Sequence, residues 1–202
     1  MKILVTSFEP FNHETINPSY EIMKRLDDEI DNVQIIKACL PVVFDQAVEC
    51  VALIIEKERP DCVLSIGQAG GRKAITVEKI AINYKDTDII DNMGQQPHNQ
   101  KIKENGLLAY PSLLPCETIV EKIKEANIPV ALSYSAGTFV CNNLMYGVLD
   151  LIKEKYPKMI SGFIHVPFAT NQALDINTFR MDINQMIQAI KIALNVIIDN
   201  IQ

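Results

Sequence analysis

The sequence predicts an α/β fold: a mostly parallel, twisted sheet with helices on both faces, an α/β/α sandwich built as a single domain over residues 1–202. Three observations predict it. Short apolar, β-branched runs alternate with helical periods along the whole chain, as successive strand–helix–strand units require. Several of those runs are apolar at nearly every position, the pattern of strands covered on both faces. At 202 residues, 48% hydrophobic and 22% charged, the chain is long enough for one sizeable core and too apolar for disorder.

Taken in order, Lys2 to Ser7 reads as a central strand. Asn17-Pro18 reads as an N-cap followed by proline at the first helical position, opening a helix to about Asp28. Val33 to Leu40 is a second strand. Phe44 to Arg59 carries apolar residues at 44, 47, 48, 51, 54 and 55, a helical period that Pro60 stops. Cys62 to Ile66 is a buried strand ending at Gly67, and Ala74 to Asn83 alternates well enough for one further strand. Residues 84 to 108 are polar, with Pro97 and two glycines, and a connection this long predicts a binding lid. Thr118 to Ala126 is a helix, Val130 to Tyr134 a strand, Asn142 to Tyr156 a helix and Gly162 to Val166 a strand. Ile183, Met186, Ile187, Ile190, Leu194 and Ile197 mark a long terminal helix.

Composition removes several functional classes. Lys plus Arg number 19 against 25 for Asp plus Glu, a net charge of -6, which argues against a nucleic-acid partner, since phosphate backbones need a basic face. No apolar run reaches the ~20 residues that span a bilayer, and Met1 to Ser7 is too short for a secretion signal. The five cysteines, at 39, 50, 62, 116 and 141, form no C-x-x-C pair, and only His13, His98 and His165 could assist a metal. The expectation is a cytoplasmic, reduced protein without disulfides, metal, cofactor or membrane contact.

Three stretches stand out for chemistry. In Ser133 to Asn142 a strand runs out into small residues and Cys141 lies at the start of a helix. The unpaired N–H groups and partial positive charge there lower a thiol pKa and can donate to an oxyanion. Cys141 is therefore a candidate nucleophile, or else a small core hydrophobe. In Gly162 to Pro167 an apolar strand ends in His165, a candidate general base or else a buried, hydrogen-bonded histidine. The third stretch is Gly67-Gln68-Ala69-Gly70-Gly71-Arg72 followed by Ile75 to Asn83, where Glu78 shares a strand face with Thr76, Ile80 and Ile82. Beside a thiol and an imidazole, Glu78 could orient the ring. The glycines fit neither G-x-G-x-x-G nor the P-loop pattern, which leaves a simple anion-binding loop, Gly67 to Arg72, as the alternative function.

Together these stretches closely resemble the pyroglutamyl peptidase I (pyrrolidone-carboxylate peptidase) family of intracellular cysteine peptidases. G-Q-A-G-G-R-K-A-I-T-V-E-K-I-A-I-N at 67–83 and S-Y-S-A-G-T-F-V-C-N at 133–142 resemble its two signatures. I-L-V-T-S-F-E-P-F at the opening, N-P-S at 17–19 and G-F-I-H-V-P at 162–167 add further anchors in the family's order. The resemblance implies a triad of Cys141 as nucleophile, His165 as base and then acid, and Glu78 as orienter. It also implies hydrolysis of peptides that begin with pyroglutamate, no cofactor, and a homo-tetramer. By position it implies a ring pocket walled by Phe8, Phe11 and Phe139, with Gln68 contacting the lactam and Ile89 in the lid. Departures from the family pattern include Asn12 and His13 where glycines are common, and Asp88 where the lid commonly carries arginine; a catalytically impaired member is the alternative they raise.

Overall fold

The computed structural model describes residues 1–172 and 177–201. The chain opens with β1 (Lys2–Phe8), α1 (Pro18–Lys24), β2 (Glu29–Ile30), β3 (Val33–Leu40), α2 (Gln46–Glu58) and β4 (Cys62–Gln68). Next come β5 (Ile75–Glu78), β6 (Ile80–Ile82), β7 (Ala109–Pro111), α3 (Cys116–Glu125), β8 (Val130–Ser133) and α4 (Val140–Lys155). β9 (Ile160–Val166), β10 (Phe168–Ala169), β11 (Arg180–Met181) and α5 (Ile183–Ile201) complete it.

Seven strands form one sheet in the order β2-β3-β1-β4-β9-β5-β8. The β3-β1-β4-β9 block is parallel, whereas β5 runs antiparallel to β9 and parallel to β8. The two-residue side-chain period of the strands divides the core in two. Ile3 and Val5 of β1 join a cluster with α1, α3 and α5, while Leu4 and Phe8 join one with α2 and α4. The sheet is therefore covered on both faces, as the apolar runs require.

Asn17 caps α1 as expected, its side chain accepting from the Ser19 N–H at 3.0 Å. The helix stops at Lys24 rather than near Asp28, because β2 and β3 form a hairpin across Asp31 and Asn32. Both turn residues have positive φ, 48° and 63°, the backbone that a two-residue hairpin needs and that Asp and Asn tolerate. The single strand expected over Ala74 to Asn83 is two. After Glu78 the Lys79 N–H bonds the Ser133 carbonyl at 2.7 Å, and the chain leaves the main sheet to pair β6 with β7. Thr76 and Glu78 thus share a face, but Ile80 and Ile82 belong to another sheet.

Candidate active site

His165 is the penultimate residue of β9 and sits opposite Gly67 of β4 on one side and Thr76 of β5 on the other. The antiparallel insertion of β5 brings Glu78 within diagonal reach. Glu78 Oε1 lies 2.9 Å from His165 Nδ1, with the histidine 3% and the glutamate 0% exposed. The same oxygen accepts from the Thr76 hydroxyl at 3.0 Å and from the Arg72 guanidinium. Arg72 also donates to Thr76 Oγ1 and, at 2.8 Å, to the Ser135 carbonyl.

Burial of Glu78 pushes its carboxyl up, but the His165 hydrogen bond and charge, with Ser133 and Arg72, outweigh it, and the group lies below the ordinary glutamate range. Burial holds His165 below its ordinary value, against the opposing pull of Glu78. The resting pair is therefore a carboxylate and a neutral imidazole. With Glu78 accepting at Nδ1, the ring carries its proton there and leaves Nε2 as a base.

Cys141 lies in the first turn of α4, following Phe139, which takes the N-cap position in an extended conformation. Two glycines shape its surroundings. Gly137 turns the chain with φ +80°, left-handed backbone that an L side chain resists. At Gly67, a Cβ would stand 2.7 Å from the Phe163 ring and 3.0 Å from Cys141 Sγ. Bare backbone there lets the sulfur lie directly against β4, beside the residue paired with His165. The lowering that a helix start predicts for this thiol is opposed by its surroundings. Burial first, and then the charge of Glu78, push the Cys141 thiol up to about 12.

Asn142, fully buried, ties this helix start to the lid. Its side chain accepts from the Ile82 N–H and donates to the Ile82 and Tyr84 carbonyls. Thr138 and Asp86 exchange two further bonds, at 2.5 and 3.2 Å.

Cys141 and His165 open on a cavity of about 250 Å³ that Phe8, Phe11, Phe139, Gln68 and Ile89 also line. All five residues expected to bind substrate therefore meet at one place. Phe11 and Phe139 lie 5.9 Å apart, and Phe44 braces Phe139 edge-on at 5.3 Å. The volume and aromatic walls suit a small flat ring. Among the described residues, no group of three or more His, Cys, Asp or Glu is placed to hold a metal ion.

A family model described as pyroglutamyl peptidase matches residues 1–200. The chain belongs to the pyroglutamyl peptidase family. A pyrrolidone-carboxylate peptidase of Thermoanaerobacter sp. (strain X514) is 50% identical over 198 residues, 98% of each chain. One from Enterococcus faecalis is 49% identical over 179 residues, covering 89% of this chain and 84% of its own. The crystal structure of Bacillus amyloliquefaciens pyroglutamyl peptidase I superposes with a TM-score of 0.95 at 40% identity, covering 100% of this chain and 98% of that one. The pyrrolidone carboxyl peptidase of Thermococcus litoralis gives 0.94 at 36%, covering 98% and 93%.

Against this family background the anion-loop alternative is not favoured. Arg72, its only guanidinium, is taken up by Glu78, Thr76 and Ser135, so its charge is neutralised within the protein. The departures in the opening loop are real backbone demands: Asn12 and His13 both have positive φ, 51° and 64°, and His13 takes the strain that a glycine would avoid. Asp88 is exposed on the lid and is not among the charges acting on His165. Sequence reasoning missed Thr76 as a partner of Glu78, Phe44 as the brace of Phe139, and Arg72 as part of the carboxylate's surroundings. The Thr76-x-Glu78 spacing was the available signal, since it puts both side chains on one strand face.

Proposed function

We propose that the protein hydrolytically removes the N-terminal pyroglutamyl residue of peptides, with Cys141 as nucleophile, His165 as base and then acid, and Glu78 as orienter, residues 1–202 acting as one catalytic unit. The observation that carries this reading is the buried 2.9 Å Glu78–His165 contact at a ring-sized cavity that Cys141 also lines. The thiol is protonated at rest, so His165 takes its proton as the sulfur attacks the pyroglutamyl carbonyl. First-turn N–H groups of α4, Cys141's among them, stabilise the oxyanion. The imidazolium then protonates the departing amine, leaving a thioester and a free peptide. Water, deprotonated by His165, cleaves the thioester to pyroglutamate and restores the thiol.

Selectivity follows from the walls. Phe8, Phe11, Phe139 and Ile89 enclose the apolar faces of the ring, and Gln68 meets its polar edge. An unblocked glutamine or glutamate terminus would bring an ammonium group into the pocket at a desolvation cost. Among the described residues no helix is long and apolar enough to cross a membrane, and a thiol nucleophile works in a reducing compartment, so the cytoplasm is the proposed location. The proposed assembly is a homo-tetramer, which light scattering on the purified chain checks. Acid-quenched turnover of a pyroglutamyl ester tests the chemistry by mass spectrometry. The expected result is a pyroglutamyl adduct on the Cys141 peptide; an adduct elsewhere, or full turnover by Cys141→Ala, overturns it.

A further inference from the structure

We infer that Gln172 sets which end of the Gln68 amide faces the substrate ring, and is therefore a positioning residue for pyroglutamyl specificity. The inference rests on the substrate reading proposed above. Its starting point is a group whose role is fixed. The Ala169 backbone N–H can only donate, and it lies 2.7 Å from Gln172 Oε1. Ala169 is itself anchored, since β10 pairs with β11 immediately after the strand that carries His165.

With Oε1 of Gln172 committed to that donor, its Nε2 points the other way. It lies 3.0 Å from Gln68 Oε1 and 3.3 Å from Glu14 Oε2. A carboxylate at neutral pH only accepts, so Glu14 requires the same orientation independently. The relay then determines Gln68. Its Oε1 faces Gln172, and its Nε2 is left without a protein partner among the described residues while the side chain lines the cavity. Both glutamines are buried, 7% exposed for Gln68 and 3% for Gln172, so turning either amide over would break bonds that water does not replace.

The chemical consequence is that the pocket offers a donor at this point. That donor complements the ring carbonyl of pyroglutamate and not its N–H. A prolyl ring has the same shape but no carbonyl, and it would cover that donor without pairing it. With the amide turned over, the pocket would set an oxygen against the ring oxygen.

Gln172→Glu tests the relay. At a pH high enough to ionise the new carboxyl, one of its oxygens still accepts from Ala169 but the other cannot donate, so Gln68 must turn its Nε2 toward it. Below that pH the protonated carboxyl donates as the native amide does, and KM returns toward the wild-type value. The expected result is a KM for pyroglutamyl-aminomethylcoumarin raised about 10- to 100-fold, kcat within about twofold, and inhibition by 2-pyrrolidone weakened in parallel. Gln172→Met keeps the volume without adding charge near Glu14. It frees the amide to rotate and should raise KM about three- to tenfold. Unchanged KM and 2-pyrrolidone inhibition in the folded variants, or a loss in kcat at constant KM, would overturn the relay alone. A wild-type protein that releases no coumarin would overturn the substrate reading, and the relay with it.

Discussion

Glu78→Gln isolates the contribution of one charge, since the two side chains have nearly the same shape. On the proposed mechanism the carboxylate holds the resting ring at Nδ1 and faces an imidazolium in the transition state. With Nδ1 at 2.9 Å from Oε1, charge centres about 4 Å apart attract by about 4 kcal/mol at an effective dielectric of 20. At about 1.4 kcal/mol per factor of ten, complete loss would slow the reaction about a thousandfold. The glutamine oxygen can still accept from Nδ1–H, so kcat should fall by about 100- to 1000-fold. Glu78 does not line the cavity, and KM should hold. The pH profile adds a second readout. Glu78 raises the His165 pKa and Arg72 lowers it, so removing the carboxylate should move the acid limb of kcat/KM to lower pH. Initial rates of coumarin release across pH measure both. A wild-type rate, or an acid limb displaced upward, would refute the orienting role.

Gly67→Ala forces a methyl group against the Phe163 ring and Cys141 Sγ; it should destabilise the protein by about 1–3 kcal/mol in urea unfolding and suppress turnover, and a fully active, equally stable variant would contradict the described contact. In the wild type, kcat/KM should rise with pH through a limb below the ordinary histidine value of about 6.5, because burial depresses the folded-state pKa of His165 and the base must be unprotonated. No falling limb should appear near the free-thiol value of about 8.5, since the Cys141 thiol is pushed up to about 12; a symmetrical bell with such a limb would indicate a standing thiolate–imidazolium pair.

The layer architecture was legible because apolar strand runs and helical periods speak through local chemistry. β3 was read with its observed ends, and Pro60 stops α2 where expected, with Arg59 in left-handed backbone just before it. What local patterns do not carry is strand order. Placing β5 antiparallel against β9 depends on long-range packing, yet it is what brings Glu78 to His165 across 87 positions of sequence. For the same reason the break at Lys79 was unreadable: the residues on either side alternate smoothly, and only the Ser133 and Ser112 backbone groups divide them. Cys141 and His165 were readable as candidates because a helix start and a strand end are recognisable positions. Resemblance, not spacing, joined them. The opposing influences on the thiol were not legible, because helix position is visible in sequence and the surroundings of the sulfur are not.

Thiol-dependent removal of pyroglutamate underlies every step proposed for this site. Its most direct test is coumarin release from pyroglutamyl-aminomethylcoumarin under reducing conditions, by the wild type and Cys141→Ser, with prolyl-aminomethylcoumarin as the ring control. Release from the pyroglutamyl substrate by the wild type alone, with the prolyl substrate left intact, is the predicted result. Equal release by Cys141→Ser, or none by a folded wild-type protein, would contradict it.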